Sequence, residues 1–314
     1  MPELEQSTSG GGDVVGGARP DPLTLVAFVF AAIFAGGNAV AVRLGLSELA
    51  PFWGAAIRFL AAAAILLVVV PILRQQLPRG RALAGVLIYG ILSFGLSYMF
   101  LYWALQEVTA ATTMVTLAIV PLLTLGLAVV QRVERFSYRA LIGALMAALG
   151  IGIVFGDRIG AVSALSLAAL LGGALCIAEA NIVVKRFPRV HPVVQNGVGM
   201  AAGGLLLLVL SLAAAEPWVF PAKPAVQISL VYLVLLGSIG LFVIYLFVLR
   251  RWTASASSYV MLLAPLAAAG LGLVVLGETV SPALVLGGAL AIAGVYVGAI
   301  ARHGAGTQKA PVKG

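Results

Sequence analysis

The stretch 109–154, TAATTMVTLAIVPLLTLGLAVVQRVERFSYRALIGALMAALGIGIV, returns at 253–298 as TASASSYVMLLAPLAAAGLGLVVLGETVSPALVLGGALAIAGVYVG. The offset is a constant 144 residues across two apolar runs, without a gap. Thr109, Ala110, Pro121, Gly126, Leu127, Glu134, Ser137, Gly143, Ala147 and Gly150 coincide with Thr253, Ala254, Pro265, Gly270, Leu271, Glu278, Ser281, Gly287, Ala291 and Gly294. Because Pro, Glu, Ser and Gly all coincide, this is more than a chance likeness between Ala- and Leu-rich helices. A period this long denotes a duplicated half of a fold, not a solenoid unit. In an apolar chain, duplicated halves are a hallmark of transporter architectures.

Composition supplies the apolar setting. Of 314 residues, 62% are hydrophobic and 10% charged, and the mean hydropathy is +1.11. Soluble domains carry roughly 25% charged residues, so this apolar surplus must face lipid. The net charge of +8 is spread in short clusters between apolar runs, which argues against a nucleic-acid patch. Cys176 is the single cysteine, and His191 and His303 are the only histidines. No disulfide framework, metal site or cofactor is expected from them. There is no Walker-type glycine loop and no nucleophile elbow, so the chain is read as neither an enzyme nor an ATP-driven pump.

Ten apolar runs approach the roughly 20 residues needed to cross a bilayer: about 23–44, 52–73, 82–105, 108–130, 138–156, 160–182, 192–214, 226–249, 254–276 and 282–301. The expected fold is an all-α integral membrane protein of ten transmembrane helices. Residues 1–21 read as a disordered tail, 22–157 as a first five-helix repeat, 158–301 as a second, and 302–314 as a tail. With the N-terminus in the cytosol, fifteen of the 19 Lys and Arg residues fall on inner segments. Arg43, Arg158 and Lys223 fall outside, and Arg58 lies within a helix. That bias places both termini in the cytosol of a multi-pass plasma membrane protein. Five helices separate the repeats, an odd number, so the second is inverted, and an inverted pair can open alternately to the two faces.

Four stretches carry a family likeness. Gly36-Gly37-Asn38 through Gly45 resembles a first-helix Trp-Gly-Ser-Asn-Phe pattern without its Trp, and Pro51 through Arg58-Phe59 resembles a second-helix start. Ala104-Leu105, with Thr109-Ala110-Ala111 through Pro121, resembles a third–fourth helix junction. Leu276-Gly277-Glu278 resembles a signature near the end. In order and spacing, over about 23–301, these residues resemble the drug/metabolite transporter superfamily, specifically its ten-helix EamA-type members. The resemblance implies a secondary carrier in a bacterial inner membrane that exports amino acids or related metabolites. Its cavity would lie between the halves, with the fifth and tenth helices mainly packing. A proton-coupled drug exporter of the same fold is the alternative, and a channel or membrane scaffold the reading from another class. The expected partners are a small-molecule substrate and the lipid bilayer, with no nucleic acid, the chain being a monomer or homodimer.

Polar residues inside apolar runs are the candidate binding residues, because ionisable groups at membrane depth are costly. Arg58 offers a guanidinium fork for a carboxylate or phosphate, or else snorkels or bonds helix carbonyls. Glu179 is either a proton-coupling acid or a partner for Lys185 or Arg186. Asn38 and Asn181 sit at near-equivalent positions. Tyr98 and Tyr102 share one helix face, with Trp103 at the interface, and Tyr245 lies in the corresponding eighth run. Thr112, Thr116, Ser257 and Ser258 complete the candidates, although such hydroxyls commonly bond back to the i−4 carbonyl. Pro121 and Pro265 are the expected hinges, since each removes a helix hydrogen bond. The Gly143/Ala147/Gly150 and Gly287/Ala291/Gly294 faces suit close helix packing. Glu134 and Glu278 are expected to cap the helices that follow them.

Overall fold

Proline and hydroxyl residues begin most helices of the chain. The computed structural model describes residues 20–104, 107–108, 113, 116–156, 163–276 and 282–300. Among these, Pro22, Pro51, Pro121, Pro192 and Pro224 stand in the first turns of α1 (Pro22–Gly45), α2 (Pro51–Ile72), α4 (Val120–Val130), α7 (Pro192–Ala213) and α8 (Pro224–Arg251). A proline there loses no helical bond and presets φ. Ser137 and Ser163 accept from the third backbone N–H of α5 (Tyr138–Phe155) and α6 (Ala164–Arg186). Thr253 does the same for the turn Ala254–Ser258, which leads into α9 (Val260–Leu276). α3 spans Gly80–Ala104, and α10 spans Pro282–Val295 and continues as a π-helical turn to Ile300.

The described residues form helices and no strands. α1, α2, α3, α6, α7 and α8 are long and apolar enough to cross a membrane, whereas Val120–Val130, Tyr138–Val154, Ala254–Gly270 and Val285–Ile300 are shorter apolar helices. Ten runs were expected; six reach crossing length within the described residues. The start of the fourth run, residues 277–281, and residues 1–19 and 301–314 of the ends lie outside those residues, as do Thr109, Thr112 and Glu278.

The duplication extends well beyond the two matched runs. α3 relaxes into a π-helical segment at Ile91–Leu96 and α8 at Leu235–Gly240. These segments have the same length and the same offset of 144. Non-glycine residues with positive φ close both α2 and α7, Arg74 at 51° and Ala215 at 50°, here at an offset of 141. The second half therefore carries three extra residues between α7 and α8. Such a loop insertion hides the first two helices of each half from an ungapped comparison at one offset.

Packing follows the same symmetry. α2 packs on α7, and α5 on α10. α1 packs on α8 and α9, as α6 does on α3 and α4. Glu216, just past the end of α7, accepts from the Phe52 and Trp53 amides at the start of α2, at 3.1 and 2.8 Å. α2 and α7 thus run antiparallel, and an axis exchanging them lies across the bundle. At the α5–α10 crossing the backbones nearly touch. A Cβ on Gly150 would lie 2.5 Å from the Ala291 nitrogen, and one on Gly294 2.5 Å from the Ala147 nitrogen. The expected small-residue faces do meet there.

The two ends of the bundle differ in charge. At one end Arg251 pairs with Asp21 at 3.3 Å, the Arg81 guanidinium lies over Phe187, and Lys185 donates to the Trp252 carbonyl. At the other, Glu48 pairs with Lys223 at 3.8 Å, and Glu107 accepts from Ser163 at the start of α6. Hydrogen bonds from Ser166 and Ser163 hold the Glu107 carboxyl below its usual pKa. We refer to these as the basic and acidic ends.

Candidate functional site

Arg58, two turns into α2, is 1% exposed. It does not snorkel. Its Nε donates to the Ser238 hydroxyl at 2.8 Å, and its Nη2 to the Gly237 carbonyl at 3.0 Å. Both acceptors belong to the π-helical segment of α8. Such a segment breaks the i→i+4 ladder and leaves carbonyls available to other donors. Asn38 Nδ2 of α1 donates to the same Gly237 carbonyl at 3.0 Å. The Tyr98 hydroxyl accepts a long bond of 3.5 Å from Nη2, and the guanidinium carbon lies 4.8 Å from the Phe59 ring centre and 5.5 Å from that of Tyr98. Arg58 Nη1 has no partner, and nor does Asn38 Oδ1. No carboxylate reaches ion-pair distance of Arg58 among the described residues.

Arg58 and Tyr102 line a cleft that opens toward the acidic end, between Val42 of α1, Leu46 just past its end, Pro51 of α2 and Leu233 of α8. Its free volume is about 20 Å³, room for about one water, so this conformation is nearly closed. Trp53 packs with Leu49 and Ala50, which line the cleft. Its indole N–H donates to the Val219 carbonyl at 2.8 Å, and its ring stacks on Trp218 at 4.8 Å. The loop 214–223 thus straps the start of α2 through Glu216 and Val219.

Beneath Arg58 lies an aromatic layer. Phe59 packs on Tyr98 at 4.7 Å and on Phe94 at 5.1 Å, and Phe94 packs on Phe242 at 4.7 Å. Phe94 and Ser238 occupy equivalent positions of the two π-helical segments. One fills the centre with a ring, and the other holds Arg58. The symmetric scaffold therefore carries an asymmetric site.

The remaining candidates divide. Asn38, Arg58, Tyr98 and Tyr102 come together around the guanidinium, and of these Arg58 and Tyr102 line the cleft. Asn181 and Tyr245 pair with each other at 2.9 Å, away from it. Glu179 accepts from Gln131 at 2.6 Å, and Gln131 accepts from Arg186 at 2.8 Å. This chain sits toward the basic end and links the acid to Arg186 through an amide. The Ser257 and Ser258 hydroxyls donate to the Thr253 and Ser255 carbonyls of their own helix. The Thr116 carbonyl accepts the Ile119 amide in the turn before α4. Pro121 begins α4, whereas Pro265 lies inside α9. Glu134 caps a different helix from the one expected. It accepts from the Ala254 and Ser255 amides and from the Ser255 hydroxyl, while Ser137 alone caps the following helix. The sequence reading also missed Ser238 and Gly237, because a serine and a glycine in an apolar run carry no distinctive signal.

Residues 22–156 and 164–299 each match the EamA-like transporter family. The chain belongs to that family. Similar proteins of this kind include the uncharacterized transporter YoaV of Bacillus subtilis, 24% identical over 82% of this chain and 90% of its own. The uncharacterized inner membrane transporter YedA of Escherichia coli is 27% identical over 81% and 84%. A probable terminal-alkyne amino-acid exporter of Streptantibioticus cattleyicolor is 26% identical over 82% and 86%. A crystal structure at 20% identity superposes with a TM-score of 0.74 over 87% of this chain and 95% of its own, a likeness of fold. This EamA-family chain is a multi-pass membrane protein whose relatives are transporters.

The site depends on glycine at 237. A Cβ there would lie 1.9 Å from Asn38 Oδ1, so Gly237→Ala must displace the amide and disturb the carbonyl shared with Arg58. We expect a stability loss of about 1–3 kcal/mol, as for overpacking elsewhere, together with impaired flux. Thermal melting in detergent and flux in proteoliposomes measure the two. Wild-type values for both would remove Gly237 from the site.

Proposed function

We propose that the protein is a secondary carrier of small carboxylate-bearing solutes, amino acids foremost, and that it works by alternating access with export as its physiological direction. The observation that carries this reading is the unpartnered Arg58 Nη1 beside the cleft. A buried guanidinium without a carboxylate is costly, and a solute carboxylate supplies the missing partner through a charge-assisted bond. Asn38, whose Nδ2 shares the Gly237 carbonyl with Arg58, keeps an unpaired Oδ1, an acceptor suited to a solute ammonium. Tyr98 and Tyr102 offer rings for an apolar side chain. The relative named as an amino-acid exporter supports the same solute class.

In this reading ten helices cross the membrane as two inverted five-helix repeats, the basic end faces the cytosol, and Pro121 and Pro265 adjust as the halves rock. Glu179, Asn181, Tyr245, Thr112, Thr116, Ser257 and Ser258 belong to the pathway between the halves. The test is counterflow in proteoliposomes with amino acids, sugars and cationic drugs at two pH values. Saturable counterflow of amino acids, with little for sugars and cationic drugs, is the expected result. Unsaturable flux, or counterflow confined to cationic drugs, overturns it.

A further inference from the structure

On the far side of the aromatic layer lies a second set of buried polar groups. Tyr89, which packs edge-on against Phe94 at 5.5 Å, donates to Asn196 Oδ1 of α7 at 3.2 Å. Next to it, Gln195 accepts from Arg250 of α8. Tyr245 and Arg250 both lie within electrostatic reach of Tyr89, and Tyr245 holds Asn181 of α6. Asn181, Gln195 and Asn196 are all buried.

Three nitrogens of this set lack a partner: Asn181 Nδ2, Asn196 Nδ2 and Arg250 Nε. All three are donors. Buried polar groups are nearly always satisfied, so three orphans of one kind in one region denote a missing acceptor. The surrounding charge has the same sense. Lys185 and Arg189 are within electrostatic reach of Arg250 or of each other. Of the carboxylates at this end, Glu134 is occupied by the Ala254 and Ser255 amides, and Glu179 by Gln131. Tyr89 of α3 meets α6 and α7 here as its repeat partner α8 meets α1 and α2 around the Arg58 cleft, and Arg250 of α8 joins the set.

We infer that Arg250, Asn196 and Asn181 form a second carboxylate-recognition site at the basic end, separated from Arg58 by Phe59, Phe94 and Phe242. The solute occupies it when the halves open toward that end, and the aromatic layer divides the two sites in the closed conformation. The role assigned to this site rests on the carrier reading above; its anion preference does not.

The experiment therefore reads charge selectivity without any transported solute. In a Cys176→Ser background, Asn196→Cys is reacted in proteoliposomes with a negatively charged sulfonatoethyl thiosulfonate and with its positively charged trimethylammonium analogue. The anionic reagent should react faster by roughly tenfold or more, given Coulomb terms at such short range. Arg250→Gln should bring the two rates close together. Asn181→Cys serves the same comparison if Asn196→Cys does not fold. Equal rates, no reaction with either reagent, or a preference unchanged by Arg250→Gln overturns the second site. Such a result leaves Arg58 and counterflow untouched, whereas absent counterflow with anion preference intact overturns only the carrier reading.

Discussion

Replacing Arg58 by methionine should abolish amino-acid counterflow while leaving the melting temperature unchanged or higher. The buried guanidinium bonds to neutral acceptors, Ser238 and Gly237, and no carboxylate reaches it among the described residues. Exchanging a buried charge for an apolar side chain of similar length is often neutral or stabilising, because desolvation of the charge is relieved. The Gly237 carbonyl keeps Asn38 as a donor. Against that, losing a buried charged bond to the solute costs about 2–5 kcal/mol, at least about thirtyfold in kcat/KM. Arg58→Lys should fall between, since one ammonium cannot satisfy Ser238 and Gly237 and also present a fork to a carboxylate. Flux in proteoliposomes and melting in detergent separate the roles. Wild-type flux in Arg58→Met would make the residue structural, and a collapse in melting temperature would say that it holds α2 to α8.

The second large effect is expected at the α5–α10 crossing, and there it concerns stability. In Gly150→Ala the new methyl meets backbone on two sides, the Ala291 nitrogen and the Gly287 oxygen, each at 2.5 Å. Neither can rotate away, so the helices must separate and lose contact over the whole small-residue face. In lipid such packing is the main force between helices. A loss of about 3 kcal/mol corresponds to a drop of roughly 5–10 °C in melting temperature. Gly152→Ala, two residues along the same helix, is the control, because its Cβ meets nothing within 4 Å. It should be neutral or stabilise by up to about 1 kcal/mol through helix propensity. Equal melting temperatures for the two variants would mean that the crossing does not hold the halves together.

Much of the architecture was legible because membrane proteins write it locally. Pro22, Pro51, Pro192 and Pro224 mark helix starts through their own fixed φ, and Ser137 caps α5 from three residues away. Gly143 and Gly150 announce a close crossing because no larger residue fits. Glu134 shows where such reading stops. Its position before a helix suggested a local cap, yet its carboxylate reaches the turn Ala254–Ser258 that leads into α9, 120 residues on. A carboxylate at a loop has several helix starts within reach, and only packing selects among them.

The candidate site divides in the same way. That Arg58 and Asn38 lie at membrane depth followed from their apolar surroundings, and hydropathy needs no partner. Their convergence on one carbonyl did not, because it depends on the π-helical segment at Leu235–Gly240, which rotates Gly237 and Ser238 toward a residue 180 positions earlier. The order of residues along the chain thus determined the apolar class and the doubled scaffold, since composition, proline and glycine act over a few residues. Which polar atoms are left without partners, and so can hold a solute, was decided only when the two halves packed, because hydrogen-bond satisfaction is a property of the whole neighbourhood and not of any one segment.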